Sequence, residues 1–272
     1  MGRSRRDWTQ DKFERYIKEG RGQGSGSNYQ PWIKIQDFPS KGRVSRPPGW
    51  KTNREHHLLS DHERRMFYVF EWSDVVIDTR EQFPLLDLDL IMSIAEDMGF
   101  KYPKDPNSDT PYILTTDFML SVKENGKNVQ KARTVKQVKD ISSTSVANKF
   151  ELERRYYAAK DIDWGIITEK EIPRLLAENV EWVHSAYKLE ATNEINIEEL
   201  RDIAQILKSR LQESDTTINR VTTSLDKEMN LESGTSLYIF KHLIARKEIL
   251  MDMLGTKISS CPSTTVIQKI VF

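Results

Sequence analysis

Leu58, Leu59, Met66, Phe67 and Phe70 fall at helical spacing, and this pattern predicts a helix over about 61–71. The next segment, DVVID, is short and β-branched, which predicts a strand near 75–78 that continues towards Phe83. Pro103, Pro106 and Pro111 break the stretch 84–111 into a loop or irregular helical insert. TTDFMLSV at 115–122 alternates as a strand does, and NVQKARTVKQVK at 128–139 reads as its partner, with Asn125-Gly126 between them as a hairpin signal. An amphipathic helix at about 146–160 and a buried strand, DWGIIT at 163–168, complete an α-β-β-β-α-β order.

Thr168 and Glu171 have capping-box spacing, which predicts a new helix and a domain boundary. Helices at 170–186, 197–212 and 216–230 follow, then a Ser233-Gly234-Thr235 turn, a helix to about Arg246, and strands in EILMDM and TTVIQKIVF. A helix-turn-helix followed by a β hairpin is winged-helix organisation. At the other end, a short helix at about 8–19 leads into GRGQGSGSN and then Pro31, Pro39, Pro47 and Pro48. That punctuation predicts loops and extended segments rather than a core. The expected architecture is α/β (α+β), with an irregular basic segment at 1–55, a mixed domain at 56–168 and a mainly helical, winged-helix-like domain at 169–272.

The 272 residues suit two domains, and 38% hydrophobic against 30% charged residues excludes a mainly disordered chain. No stretch approaches the roughly 18 apolar residues of a membrane span. The basic N-terminus has no apolar segment behind it, so no signal peptide is expected, and the single Cys261 excludes an intrachain disulfide and a cysteine-built zinc site. A soluble protein of a reducing cytoplasm is the expectation. Residues 1–60 hold 13 Lys/Arg against 6 Asp/Glu, whereas 170–272 hold 13 against 15. The first imbalance fits a polyanion contact, or equally a solvated tail. The second disfavours pure DNA binding and leaves room for a protein partner.

Glu63, Asp117, Gln137 and Lys139 are the residues that carry candidate chemistry. Alternate strand residues share a face, so Gln137 and Lys139 point one way while Val138 faces the core. A hairpin loop centred near Lys127 sets Asp117 opposite Gln137, and the three side chains then converge; a tight turn at Asn125-Gly126 pairs Asp117 with Thr134 instead. Carboxylate and amide oxygens suit Mg²⁺, with Glu63, Asp117 and Gln137 as ligands and Lys139 orienting water or neutralising phosphoryl charge. Each residue also has a plainer reading. Ser60 through Glu63 form a capping box, and Gln137 and Lys139 suit an exposed strand; only Asp117, in a strand where Asp is depleted, is unusual. His56, His57 and His62 lack the i, i+4 pairing of a helical metal site, so packing or phosphate contact is expected of them. The glycines of 20–26 precede no GK[ST] and make no P-loop; Arg21 in that loop is a candidate DNA contact.

In order, IKEGRGQGSGSNYQPW, HHLLSDHE, REQFPLL, TTDF, QVK and KFELERRYY resemble the TnsA family, the endonuclease subunits of the heteromeric transposases of Tn-seven-like elements. The likeness runs over about 17–185. It implies a restriction-endonuclease-like, PD-(D/E)xK-type core whose active-site Glu, Asp and Gln-x-Lys match Glu63, Asp117, Gln137 and Lys139. It further implies a Mg²⁺ cofactor, as two ions with Mn²⁺ as a substitute, and nicking of the 5′ ends of a transposon in double-stranded DNA. The implied partners are a TnsB-like transposase that cuts and joins the 3′ ends and a TnsC-like AAA+ ATPase, which meets the winged-helix-like domain. Some relatives work with CRISPR effectors. A stand-alone restriction or repair nuclease, and a non-catalytic winged-helix DNA-binding or assembly protein, are the competing readings.

Overall fold

The computed structural model describes residues 8–37, 43–141, 144–191 and 195–272. The chain divides into two compact units, Met1–Ile172 and Pro173–Phe272. Thr168 and Glu171 do bond, with the Thr168 N–H donating to Glu171 Oε2 at 2.6 Å, but no helix begins there. The helix waits for Pro173, whose ring presets φ at −71° and whose carbonyl accepts the first helical bond, from the Ala177 N–H.

In order, the first unit comprises α1 (Gln10–Lys18), α2 (Asp61–Trp72), β1 (Val76–Pro84), α3 (Leu88–Asp97), β2 (Thr115–Glu124), β3 (Lys127–Val135), α4 (Val138–Ile141), α5 (Thr144–Ala158) and β4 (Asp163–Ile167). The four strands form one sheet in the order β1-β2-β3-β4, antiparallel except for the parallel β3–β4 pair. Successive residues on β2 point to opposite faces. Phe118 meets Phe70 of α2 edge-on at 5.2 Å, while Met119 enters a cluster with Ile91 and Ala95 of α3 and Leu152, Tyr156 and Tyr157 of α5. The sheet therefore lies between α2 on one side and α3 with α5 on the other.

Three expectations are corrected. The insert at 84–111 contains a regular helix, α3, because Asp87 caps it and Ile91, Ile94 and Ala95 give it an apolar stripe before the prolines begin. Of the two hairpin alternatives the chain takes the tight turn, not the loop centred near Lys127: Asn125 and Gly126 both take positive φ, 48° and 77°, the requirement of a two-residue turn that matches strand twist. Glu124 thus pairs with Lys127 and Phe118 with Arg133, and β3 ends at Val135. Gln137, Val138 and Lys139 do not end the strand. Val138 is exposed rather than core-facing, opens the helical turn α4 and donates its N–H to Glu169 at 2.9 Å.

The third correction concerns residues 1–55, whose described part is far from coreless. Trp8, Tyr16 and Trp32 are buried together with Ile113, and Trp32 lies 5.4 Å from Tyr16 and 6.1 Å from Trp8. Tyr29, fully buried, donates its hydroxyl to the Glu81 carbonyl on β1. Polar punctuation in this segment marks turns between aromatic anchors, and the anchors hold it to the sheet.

In the second unit, α6 (Arg174–His184), α7 (Ile197–Glu213) and α8 (Ile218–Glu228) surround α9 (Thr235–Ala245), whose Ile239, Phe240, Leu243 and Ile244 are buried. Gly234 makes the turn before α9 at φ 98°, which a side chain would resist, and Asp226 accepts from the Gly234 and Ser236 N–H groups. A short antiparallel pair, β5 (Ile249–Met251) and β6 (Ile267–Ile270), follows. Among the described residues no helix is long and apolar enough to cross a membrane.

Candidate active site

Glu63 stands in the first turn of α2 because Ser60 caps that helix, its hydroxyl oxygen accepting from the Glu63 N–H at 3.2 Å. The carboxylate answers: Oε1 accepts from the Ser60 hydroxyl at 2.8 Å and Oε2 from the Leu59 N–H at 3.0 Å. Glu63 is thus the cap residue its sequence context suggests. It is also buried and lines a pocket of about 460 Å³ together with Asp117. Burial, then the nearby Asp117 charge, pushes the Glu63 carboxyl well above its ordinary range.

Asp117 enters the pocket from the start of β2. The register that pairs Phe118 with Arg133 sets Thr134 opposite Asp117, on the same face of the sheet. Asp117 Oδ2 accepts from the Val135 N–H at 2.7 Å, which pins it to the end of β3. Burial pushes its carboxyl up, and Glu153 adds to this; the Val135 bond and the Lys136 charge pull the other way. Lys136 is the first residue beyond β3. Its own N–H is held by the Ile167 carbonyl of β4, and its side chain lines the pocket.

A third carboxylate stands beside these. Glu153 of α5 is buried, its Oε1 accepting from the Thr116 hydroxyl and, at 2.8 Å, from the Thr134 hydroxyl. Burial raises its carboxyl too. Lys149 also lines the pocket. The carboxylates of Glu63, Asp117 and Glu153 therefore share one pocket, whose lining also includes Lys136, Lys149 and His62.

Of the four sequence-derived candidates, Glu63, Asp117 and Gln137 line this pocket and Lys139 does not. Lys139 lies one residue into the helical turn α4 and is exposed. Sequence reasoning passed over Lys136, Glu153 and Gln82, whose amide Nε2 lies 3.3 Å from Glu63 Oε2. Glu153 had a signal: a carboxylate between Leu152 and Tyr156 on the buried side of an amphipathic helix. Of the three histidines, His56 is buried against Glu81 with its Nδ1 at 2.8 Å from Oε2, and His57 Nδ1 accepts from the Ile35 N–H; His62 lines the pocket. Arg21 is not an open DNA contact. It is buried and bound to Glu19, Asp37 and the Trp32 carbonyl.

Comparison with known proteins gives the family. Residues 73–169 match the family model described as TnsA-like endonuclease N terminal, and residues 171–253 match TnsA endonuclease C terminal. The Escherichia coli protein named Transposon Tn7 transposition protein TnsA is 39% identical over 245 residues, covering 90% of this chain and 87% of the relative. The chain belongs to the TnsA family. It is a DNA endonuclease subunit of a transposase. The TnsA N-terminal match spans Asp117, Lys136, Gln137 and Glu153, and begins after Glu63.

Proposed function

We propose that this TnsA-family chain hydrolyses phosphodiesters at the 5′ ends of a transposon, the non-transferred strands, in a Mg²⁺-dependent reaction centred on Glu63 and Asp117. A TnsB-like transposase cuts and joins the 3′ ends, and a TnsC-like ATPase docks on the second unit. The observation that carries the reading is that a helix-borne and a strand-borne carboxylate line one pocket with Lys136 beside them. The strand order β1-β2-β3-β4, preceded by α2 and crossed over by α5, supports a restriction-endonuclease-like assignment. The run α7-α8-α9 followed by the β5–β6 pair supports a winged-helix-like one.

The donor set fits a hard cation. Burial holds three carboxyls above their ordinary range, and a neighbouring carboxylate adds to this at Glu63 and Asp117, a cost that a divalent ion offsets. Among the described residues no group of three or more His, Cys, Asp and Glu is arranged to hold a metal by itself. Glu63 and Asp117 would therefore hold Mg²⁺ with neutral oxygens such as that of Gln137 and with water, as Mg²⁺ commonly requires. When bound, the ion supplies polarisation of the scissile phosphate and a more acidic water. Lys136, rather than Lys139, neutralises charge that gathers on the phosphoryl oxygens as water adds to phosphorus and the bond to the leaving sugar oxygen breaks. Thr134 keeps Glu153 ordered behind Asp117.

The test is Asp117→Ala in a reaction reconstituted with the TnsB-like and TnsC-like proteins and a labelled transposon end. The expected result is loss of 5′-strand cleavage while 3′-strand cleavage and complex formation persist. Undiminished 5′ cleavage contradicts the site, and full cleavage by this chain alone favours a stand-alone nuclease.

A further inference from the structure

Gln82 has a backbone that a strand residue does not ordinarily adopt. Its φ of 49° lies in the left-handed region, unfavourable for any residue with a Cβ, and its side chain is buried. The β1–β2 register brackets it: Glu81 pairs with Phe118 and Phe83 with Thr116, so Gln82 stands at the level of Asp117. Its carbonyl accepts from the Trp32 N–H, which fastens the twist from outside the sheet. The side chain spans two elements. Nε2 donates to Glu63 Oε2 at 3.3 Å, and Oε1 accepts from the Thr115 hydroxyl at 3.3 Å.

We propose that Gln82 is a positioning residue of the cleavage site, its amide fixing the Glu63 carboxylate of α2 relative to Thr115 and Asp117 of β2. Glu63 Oε2 is held by two N–H donors, those of Leu59 and Gln82, neither of which is a rotatable hydroxyl. Among the described residues Oε1 accepts from the Ser60 hydroxyl, and a hydroxyl can turn aside. The arrangement fixes one oxygen and leaves the other to a cation. An amide suits the task because it donates to a carboxylate and accepts from a hydroxyl at once, adding no charge to an acidic pocket. The inference rests on the reading of Glu63 and Asp117 given above.

The experiment compares wild type, Gln82→Met and Asp117→Ala in the reconstituted complex across a Mg²⁺ series, and measures the Mg²⁺-induced rise in melting temperature of the protein without DNA. For Gln82→Met, which keeps the bulk and loses the amide, we expect a metal-free melting temperature near that of wild type. The half-saturating Mg²⁺ concentration should rise by about 10–100-fold, as for other residues that orient metal ligands, and the Mg²⁺-induced shift should shrink. A Gln82→Met protein with wild-type Mg²⁺ dependence overturns the proposal. So does a slower reaction whose Mg²⁺ dependence and thermal shift are unchanged, since that is a purely structural loss. Should Gln82→Met not fold, Gln82→Glu decides by the same two readouts, because it keeps the size and the acceptor for Thr115 but replaces the donor to Glu63 with a carboxyl. If Asp117→Ala cleaves normally, the reading of the site itself fails; if it is inactive while Gln82→Met behaves as wild type, only the positioning role fails.

Discussion

Asp117 Oδ2 accepts the Val135 N–H at 2.7 Å, so the acidic residue of β2 is tied to the final residue of β3. That single bond selects which lysine serves the pocket. With Val135 pinned to Asp117, the next residue, Lys136, lines the pocket, and Lys139 falls three residues further on, in α4.

Lys136→Ala is therefore expected to slow 5′-strand cleavage by about 10²-fold or more, the scale on which single charge-stabilising donors act. Lys139→Ala should stay within a small factor of wild type. Single-turnover cleavage of a labelled transposon end measures both; the reverse order of effects would show that the loop after β3 rearranges on DNA.

The raised carboxyls predict how stability responds to pH. A carboxyl whose pKa rises on folding holds its proton more tightly in the native state, so the native chain binds more protons than the unfolded chain above the ordinary carboxylate range near pH 4. Stability of the metal-free protein must then fall as pH rises from about 4 through the raised values. Asp117→Asn should flatten this slope and raise the metal-free melting temperature at pH 8 by a few degrees, while abolishing cleavage. Thermal melts in chelator at pH 5 and pH 8 decide; a lower melting temperature for Asp117→Asn at pH 8 contradicts the electrostatic account.

Glu81 behaves in the opposite sense. Burial alone pushes its carboxyl up, but the His56 ring and the bidentate Arg54 guanidinium outweigh burial and hold it far below the ordinary range. A depressed carboxyl contributes stability above its unfolded value and loses it as pH falls, here below about pH 4. Glu81→Gln leaves Arg54 buried without its counter-charge and should cost about 3–5 kcal/mol. Urea unfolding at pH 7 is the measurement, and a loss under about 1 kcal/mol, typical of exposed pairs, would mean the pair is solvated.

Much of the first unit was legible in sequence because its signals are local. Ser60 and Glu63 announce the start of α2, and Asn125-Gly126 announces the hairpin. The pocket lining was legible as far as Glu63, Asp117 and Gln137, but not its lysine. RTVKQVK contains two Val-Lys pairs, Val135-Lys136 and Val138-Lys139, and choosing between them requires the turn geometry that fixes register. Gln82 is invisible for another reason: its role depends on a left-handed φ and on contacts to α2 and β2, neither of which alternation along β1 encodes. The net positive charge of residues 1–60 also misled in part. Arg21 and Arg54 are committed to internal ion pairs with Asp37 and Glu81, so two of its cations are withdrawn from any polyanion.

The central claim is that a divalent ion sits between α2, β2 and the end of β3, and iron-directed cleavage of the polypeptide tests it most directly. Fe²⁺ substituted for Mg²⁺, with ascorbate and peroxide, cuts the backbone near the bound ion. The account predicts cuts close to Glu63, to Asp117 and within 134–137, suppressed by excess Mg²⁺ and absent in Asp117→Ala. Cuts confined to other segments, or an unchanged pattern in Asp117→Ala, would contradict it.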